Sequence, residues 1–278
     1  MILDELAAAA ARRVEAARRQ YPLEDLRRQA EGMKGETDFP FRRALAAPGM
    51  SFICEVKKAS PSKGLIAENF PYLDIAGEYE RAGAAAISVL TEPEYFLGSD
   101  RYLQEIADHV RIPVLRKDFT VDAYQIYEAR ILGAGAVLLI CALLEEGQIR
   151  DYLDLAHSLG LSALVEAHDE GEIEKALGAG AGIIGVNNRN LKNFHVSFDN
   201  SLRLRSLVPP DRIYVAESGI RTPQDVKQLY DKGVDAVLIG ETLMRSPDKG
   251  KMLSELAGGC EWAGAGKEPE AREEAGDE

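Results

Sequence analysis

The sequence has little with which to build a disulfide framework, a metal centre or a membrane anchor. Its three cysteines, Cys54, Cys141 and Cys260, are too few and too scattered to staple a fold, so a reducing compartment is expected. The four histidines, His109, His157, His168 and His195, show no paired ligand spacing, and Glu166 beside His168 does not make a site alone; no metal is expected. No GxGxxG follows a strand and opens a helix, so a dinucleotide is not indicated. No stretch approaches the roughly 20 apolar residues that span a bilayer. The opening MILDELAAAAARRVEAARRQ lacks the apolar core of a signal peptide, and Asp4, Glu5 and Glu15 argue against a transit peptide, which favours a cytoplasmic protein. Lys and Arg number 33 against 46 Asp and Glu, a net charge of −13, which disfavours nucleic acid or an anionic membrane as partner.

What is present is a recurring pattern. Six short apolar runs end in charged, amide or glycine-rich groups: ICEVKK (53–58), VLRKDF (114–119), ALVEAH (163–168), GVNNRN (185–190), YVAESGI (214–220) and VLIGE (237–241). Buried charge is costly unless partnered, so six such endings point to one shared polar site. The segments RAGAAAISVL (81–90), LGAGAVLLI (132–140), LGAGAGIIGV (177–186) and KGVDAVLIG (232–240) repeat a helix end, a glycine turn and an apolar strand. Four further strands fall near 52–57, 112–117, 161–166 and 212–217. Eight alternating strand and helix units in 278 residues favour a (β/α)₈ TIM barrel over an open doubly wound sheet. Residues 1–50 read as an N-terminal helical extension, either a plug under the barrel or a lid over its mouth. Residues 51–257 form the catalytic barrel and 258–278 a disordered tail, whose last 18 residues hold seven acids against Lys267 and Arg272.

In such a barrel the site lies where strands end and βα loops begin. Strand side chains alternate between faces, so Glu55 and Lys57 share the inner face while Cys54 and Val56 meet the helices. Leu115 with Lys117, Leu164 with Glu166, Gly185 with Asn187 and Val215 with Glu217 repeat the pairing of an inner residue with a mouth residue. Carboxylates Glu55, Glu166 and Glu217 thus interleave with Lys57 and Lys117, giving proton donors and acceptors in one cavity. Lys58, Lys63 and Arg189 add positive charge. Glycine turns in ESGI (217–220) and IGE (239–241), with Ser60 in ASPSKG (59–64), expose backbone amides of the kind that hold a phosphate. Cys141 ends a strand without an activating partner and reads as packing.

These residues resemble the indole-3-glycerol-phosphate synthase family. The likeness is carried by FICEVKKASPSKG (52–64), AISVLTEPEYFLGS (86–99), PVLRKDF (113–119), EARILGAGAVLLI (128–140), ALVEAH, GVNNRNL (185–191), AESGI and GVDAVLIGETLMR (233–245), and covers residues 1–257. It implies a barrel with an N-terminal extension and a decarboxylating, dehydrating ring closure of 1-(2-carboxyphenylamino)-1-deoxyribulose 5-phosphate to indole-3-glycerol phosphate, without cofactor or metal. By this resemblance Lys117 is the general acid, Glu166 a base or proton relay, Glu55 and Lys57 an assisting pair, and Asn187 and Glu217 orienting groups. Ser60, Gly219, Gly240 and the backbone of Glu241 match phosphate positions, Ser218 joins the substrate-binding residues, Arg189 faces the carboxylate, and Phe96, Phe119 and Leu191 wall the aromatic ring. Where the family commonly has EVH and SES, this chain has Glu166-Ala167-His168 and Ala216-Glu217-Ser218, with both alanines expected to face the helices. The partner is a small phosphorylated substrate; a monomer is the simpler expectation and an oligomer the alternative. A Schiff-base aldolase acting through Lys117 and a phosphate-binding protein on the same barrel are the competing readings.

Overall fold

The computed structural model describes residues 2–33, 38–190, 194–262 and Gly264. Three helices come first, α1 (Ile2–Gln20), α2 (Leu23–Gly32) and α3 (Pro40–Leu45). Strand β1 (Ser51–Val56) then leads through a small hairpin, β2 (Ala59–Ser60) and β3 (Gly64–Leu65), to α4 (Tyr72–Arg81). Alternation continues through β4 (Ala86–Leu90), α5 (Asp100–His109), β5 (Val114–Lys117), α6 (Ala123–Ile131), β6 (Ala136–Ile140) and α7 (Glu146–Ser158). It ends with β7 (Ser162–Ala167), α8 (Glu170–Ala179), β8 (Ile183–Asn187), α9 (Asp199–Leu204), β9 (Ile213–Glu217), α10 (Pro223–Asp231), β10 (Ala236–Ile239), α11 (Glu241–Arg245) and α12 (Lys249–Ala257). The eight longer strands are parallel and close on themselves in the order β1-β10-β9-β8-β7-β6-β5-β4, the (β/α)₈ barrel that the repeat predicts.

Local chemistry explains the alternation. At the end of α8, Gly180 adopts φ 92 and its amide bonds back to Ala176, a turn that returns the chain toward β8 without a Cβ penalty. Asp122, Asp169 and Thr222 each accept a backbone amide at the starts of α6, α8 and α10, so each of these helices begins with one of its free donors capped. Along the strands the two-residue period sorts side chains into two cores. Phe52, Cys54 and Val56, with Ala167 and Ala216, pack outward against the helices, while Ile53, Leu115, Leu164, Val215 and Leu238 fill the barrel interior.

The N-terminal helices combine both readings of the extension. Phe41 and Leu45 of α3 are buried with the interior residues Ile183, Ile213 and Ala236, and the Ser51 hydroxyl donates to the Ala44 carbonyl at 3.2 Å where β1 begins. Helix α3 therefore closes the floor. Helix α1 lies at the other end, where Ile2 and Leu6 line the mouth and Arg13 forks onto Asp118 at 2.7 and 3.0 Å.

The C-terminus corrects the sequence reading. Helix α12 ends at Ala257, but the expected loose tail is held at Glu261, Trp262 and Gly264. The Met50 amide donates to the Glu261 carbonyl at 2.7 Å, Met50 pairs with Trp262 in a β-bridge, and the indole meets Phe52 edge-on at 5.9 Å. A Cβ on Gly83 would sit 2.9 Å from both Trp262 and the Gly264 carbonyl, so that glycine admits the strand end. Composition misled here because one tryptophan is diluted in a Gly-, Ala- and Glu-rich stretch. Residues 265–278 lie outside the described residues.

Candidate active site

Strand parity delivers the predicted charges to one cavity of about 530 Å³ at the carboxyl ends of the strands. Glu55 and Lys57 leave β1 on the same face and pair at 2.5 Å. Lys117, the last residue of β5, reaches Glu166 of β7 at 3.0 Å and Glu217 of β9 at 3.5 Å. Asn187 ends β8 and its side chain hydrogen-bonds Glu166, while its Oδ1 accepts the Arg189 backbone amide at 3.0 Å. Two glycines make room for this cluster. A Cβ on Gly185 would lie 2.2 Å from Glu217 Oε1, and one on Gly240 would lie 2.3 Å from Glu55 Oε1 and 2.9 Å from Lys57 Nζ. Gly240 is thus required by the ion pair beside it, a role that a phosphate reading alone does not reveal.

The electrostatics divide the carboxylates. Burial alone would discharge Lys117, but Glu166, Glu217 and Glu55 outweigh it and raise its pKa, so the ammonium persists. Burial pushes Glu166 upward, yet Lys117 and His168 hold it below the usual carboxylate range. Glu217 goes the other way: burial, reinforced by Glu166 and Glu55 against the pull of Lys117, pushes it up to about 8. Its Oε1 is buried without a hydrogen-bond partner among the described residues. One ammonium, one ionised carboxylate and one carboxyl that carries its proton at neutral pH therefore sit within contact of one another. Such a set can give and take protons within one reaction.

The walls differ around the cavity. Phe96 and Phe119, with ring centroids 6.1 Å apart, join Ile2 and Leu6 of α1 to make an apolar slot. Ser60, Ser218, Gly219, Gly240 and Glu241 line the same cavity where the loops after β9 and β10 begin, together with Lys63, Arg221 and Arg245. Ser218 and Gly219 both take left-handed backbone, at φ 66 and 77, which turns that loop sharply. The Glu241 side chain is engaged by Lys63 at 3.4 Å and Arg245 at 3.2 Å, leaving only its backbone for a ligand. Arg189 lines the cavity and donates to the Ser62 hydroxyl at 3.1 Å. Lys58 does not line the cavity, a departure from the charge set read in the sequence; β1 parity turns it off the inner face. Leu191 lies outside the described residues. Cys141 is buried, and its thiol is pushed up to about 12 by burial, which keeps it inert.

Several contributors escaped sequence reasoning. Glu92, fully buried, accepts the backbone amides of Glu94, Tyr95 and Phe96 at 2.9, 2.7 and 3.0 Å and so shapes the loop that presents Phe96. Asp118 collects Arg13, the Thr91 hydroxyl at 2.6 Å and the Phe119 amide at 2.7 Å, fixing the segment after Lys117 to α1. Position just past a strand was the available signal for Glu92; nothing in a charged helix face singled out Arg13.

Comparison with known proteins agrees with this geometry. The family model described as indole-3-glycerol phosphate synthase matches residues 3–256. The chain is 57% identical to the indole-3-glycerol phosphate synthase of Ruminiclostridium cellulolyticum over 258 residues, covering 93% of this chain and 99% of that protein. It is likewise 57% identical to that of Endomicrobium trichonymphae over 256 residues, covering 92% and 99%. Among solved structures, 3-hexulose-6-phosphate synthase from Salmonella typhimurium shares the fold at a TM-score of 0.62 and 14% identity, covering 75% of this chain and 97% of that one. Match to the family model across the whole barrel, with close relatives covered almost end to end, places the chain in the indole-3-glycerol phosphate synthase family.

Proposed function

We propose that the charged mouth performs the family's ring closure, converting 1-(2-carboxyphenylamino)-1-deoxyribulose 5-phosphate to indole-3-glycerol phosphate, carbon dioxide and water in tryptophan biosynthesis. The observation that carries the reading is Lys117, held as an ammonium between an ionised Glu166 and Glu217 in a cavity with an aromatic slot on one wall and glycine turns on another. The arylamine ring occupies the slot of Phe96 and Phe119. Its carboxylate faces Arg189, and its phosphate meets the amides near Gly219 and Gly240 with Ser60. The ring carbon bearing the carboxylate attacks the ketose carbonyl as Lys117 protonates the carbonyl oxygen. Carbon dioxide then leaves and aromaticity returns. Dehydration follows, with Glu166 taking the proton from the adjacent methylene, the Glu55 and Lys57 pair assisting, and Asn187 and Glu217 orienting Glu166 and Lys117.

A Schiff-base reading for Lys117 is disfavoured by the same charges, because an amine kept protonated by Glu166 and its neighbours is a poor nucleophile. The test is a fluorescence assay for the indole product with the carboxyphenylamino sugar phosphate. Wild type should turn it over, and Lys117→Ala, with an unchanged circular dichroism spectrum, should lose about 10²-fold or more in kcat. Lys117→Arg should fail too, since a guanidinium does not release its proton at neutral pH. Near wild-type closure by a folded Lys117→Ala would remove Lys117 from the chemistry and make Lys57 the acid.

A further inference from the structure

The proposed reaction consumes a proton. With the phosphate in the same charge state on both sides, a substrate carboxylate departs as neutral carbon dioxide, so substrate plus one proton gives product, carbon dioxide and water. Two protons enter, at the carbonyl oxygen and at the departing hydroxyl, and one leaves from the methylene carbon. Glu166 can hand the methylene proton back to Lys117, so the proton each cycle must draw from solvent is the one for the departing hydroxyl, and it has to enter a cluster in which Lys117 is 14% exposed and Glu166 2%. Substrate in the slot narrows the direct way further.

The mouth has a side entrance that the steps above do not use. His168 follows β7 and stands between two carboxylates. Its Nδ1 is 2.9 Å from Glu172 Oε2, and the same oxygen accepts the His168 backbone amide at 2.8 Å, which holds the carboxylate against the ring. Its Nε2 is 3.4 Å from Glu166 Oε1, buried, and without an aligned hydrogen bond. Glu166 thus shows one oxygen to His168 and the other to Lys117. Glu172, in the first turn of α8, keeps 18% of its side chain exposed and forms the outer end. The charged groups acting on the ring are Glu172 of α8, Glu166 of β7 and Glu217 of β9; Lys175 of α8 is bound instead to the carbonyls of Cys141 and Leu144.

We propose that Glu172 and His168 form a proton-uptake path that recharges Lys117 through Glu166 between ring closure and dehydration, so that the same ammonium also protonates the departing hydroxyl and Glu166, ionised again, takes the methylene proton. The imidazolium passes its Nε2 proton to Glu166 Oε1, and the two-fold terminal torsion of the glutamate turns it toward the Lys117 amine; the neutral ring then flips about its own two-fold torsion and takes a fresh proton from Glu172 on the bare nitrogen. No electrons move, and the path delivers the one proton that the reaction consumes. Flanking carboxylates favour the imidazolium over burial, which is consistent with a raised His168 pKa. His168 touches no reacting atom, so it is a positioning residue, holding a proton beside Glu166.

The inference rests on the proposed ring closure, and wild-type turnover of the carboxyphenylamino sugar phosphate is the control that tests that reading separately. With that control active, His168→Gln should lose roughly tenfold in kcat at little change in KM, and added imidazole should restore much of the loss while leaving wild type unmoved. Should His168→Gln fold poorly, Glu172→Gln, at the partly exposed end, should show the same kcat loss and the same rescue by imidazole. Wild-type kcat in the folded variant, a change confined to KM, or a loss that imidazole does not repair would each overturn the path.

Discussion

At neutral pH the Glu217 carboxyl carries a proton because it is buried beside two other carboxylates, and this has a measurable price in alkaline solution. The folded pKa stands above the unfolded value. The stability contributed by the extra proton is therefore complete below about pH 4.5 and is lost as pH rises through about 8. Glu217→Gln does not titrate, so its melting temperature relative to wild type should climb from pH 6 to pH 9, by at least about 2 °C, and then level off. A difference that stays flat with pH would show that Glu217 is ionised in the native protein. Much of this residue's setting was legible in the sequence, because the two-residue strand period alone places Glu55, Lys57, Lys117, Glu166 and Glu217 on one face. Its protonation was not, since that depends on distances across three strands. His168 was legible only as a failed metal ligand; the Glu172 contact that gives it a use depends on how α8 packs beyond the strand end.

Among the elements, the loop between β4 and α5 is the one most dependent on a single side chain. Three amides converge on Glu92, and Gly98 comes so close that a Cβ would lie 2.4 Å from the Leu90 carbonyl. Glu92→Ala would leave those donors unpaired, at about 1–3 kcal/mol for a buried group. The loop should loosen, Phe96 should lose its place in the slot, and KM should rise about tenfold with a smaller change in kcat. Steady-state kinetics with the ring-closure substrate decide this, and an unaltered KM would remove Phe96 from the aromatic wall. The strands and helices themselves followed from sequence because each glycine turn marks a helix end. The hairpin of β2 and β3 did not, being only two residues in each strand.

For the whole molecule, the C-terminal strand end completes the shell at the foot of β1. Removing everything after Gly259 takes away the Trp262 ring from Phe52 and the acceptor of the Met50 amide. The melting temperature should fall by about 4 °C or more, on the basis of about 2 kcal/mol for a lost aromatic contact and hydrogen bond in a chain of this size. Thermal unfolding of the truncated protein checks it; an unchanged midpoint would mean that the indole adds nothing to the barrel. The two ends of the N-terminal extension carry a further consequence for how the protein is made. Phe41 and Leu45 emerge early from the ribosome, yet their resting places, Ile213 on β9 and Ala236 on β10, are synthesised almost last. The floor helix, which also touches β7, is therefore fully buried only when β9 and β10 close the ring, near the end of synthesis. Until then part of its apolar face has no complete cover, the kind of exposure that makes chains of this size prone to aggregate, and the step that closes the barrel removes it.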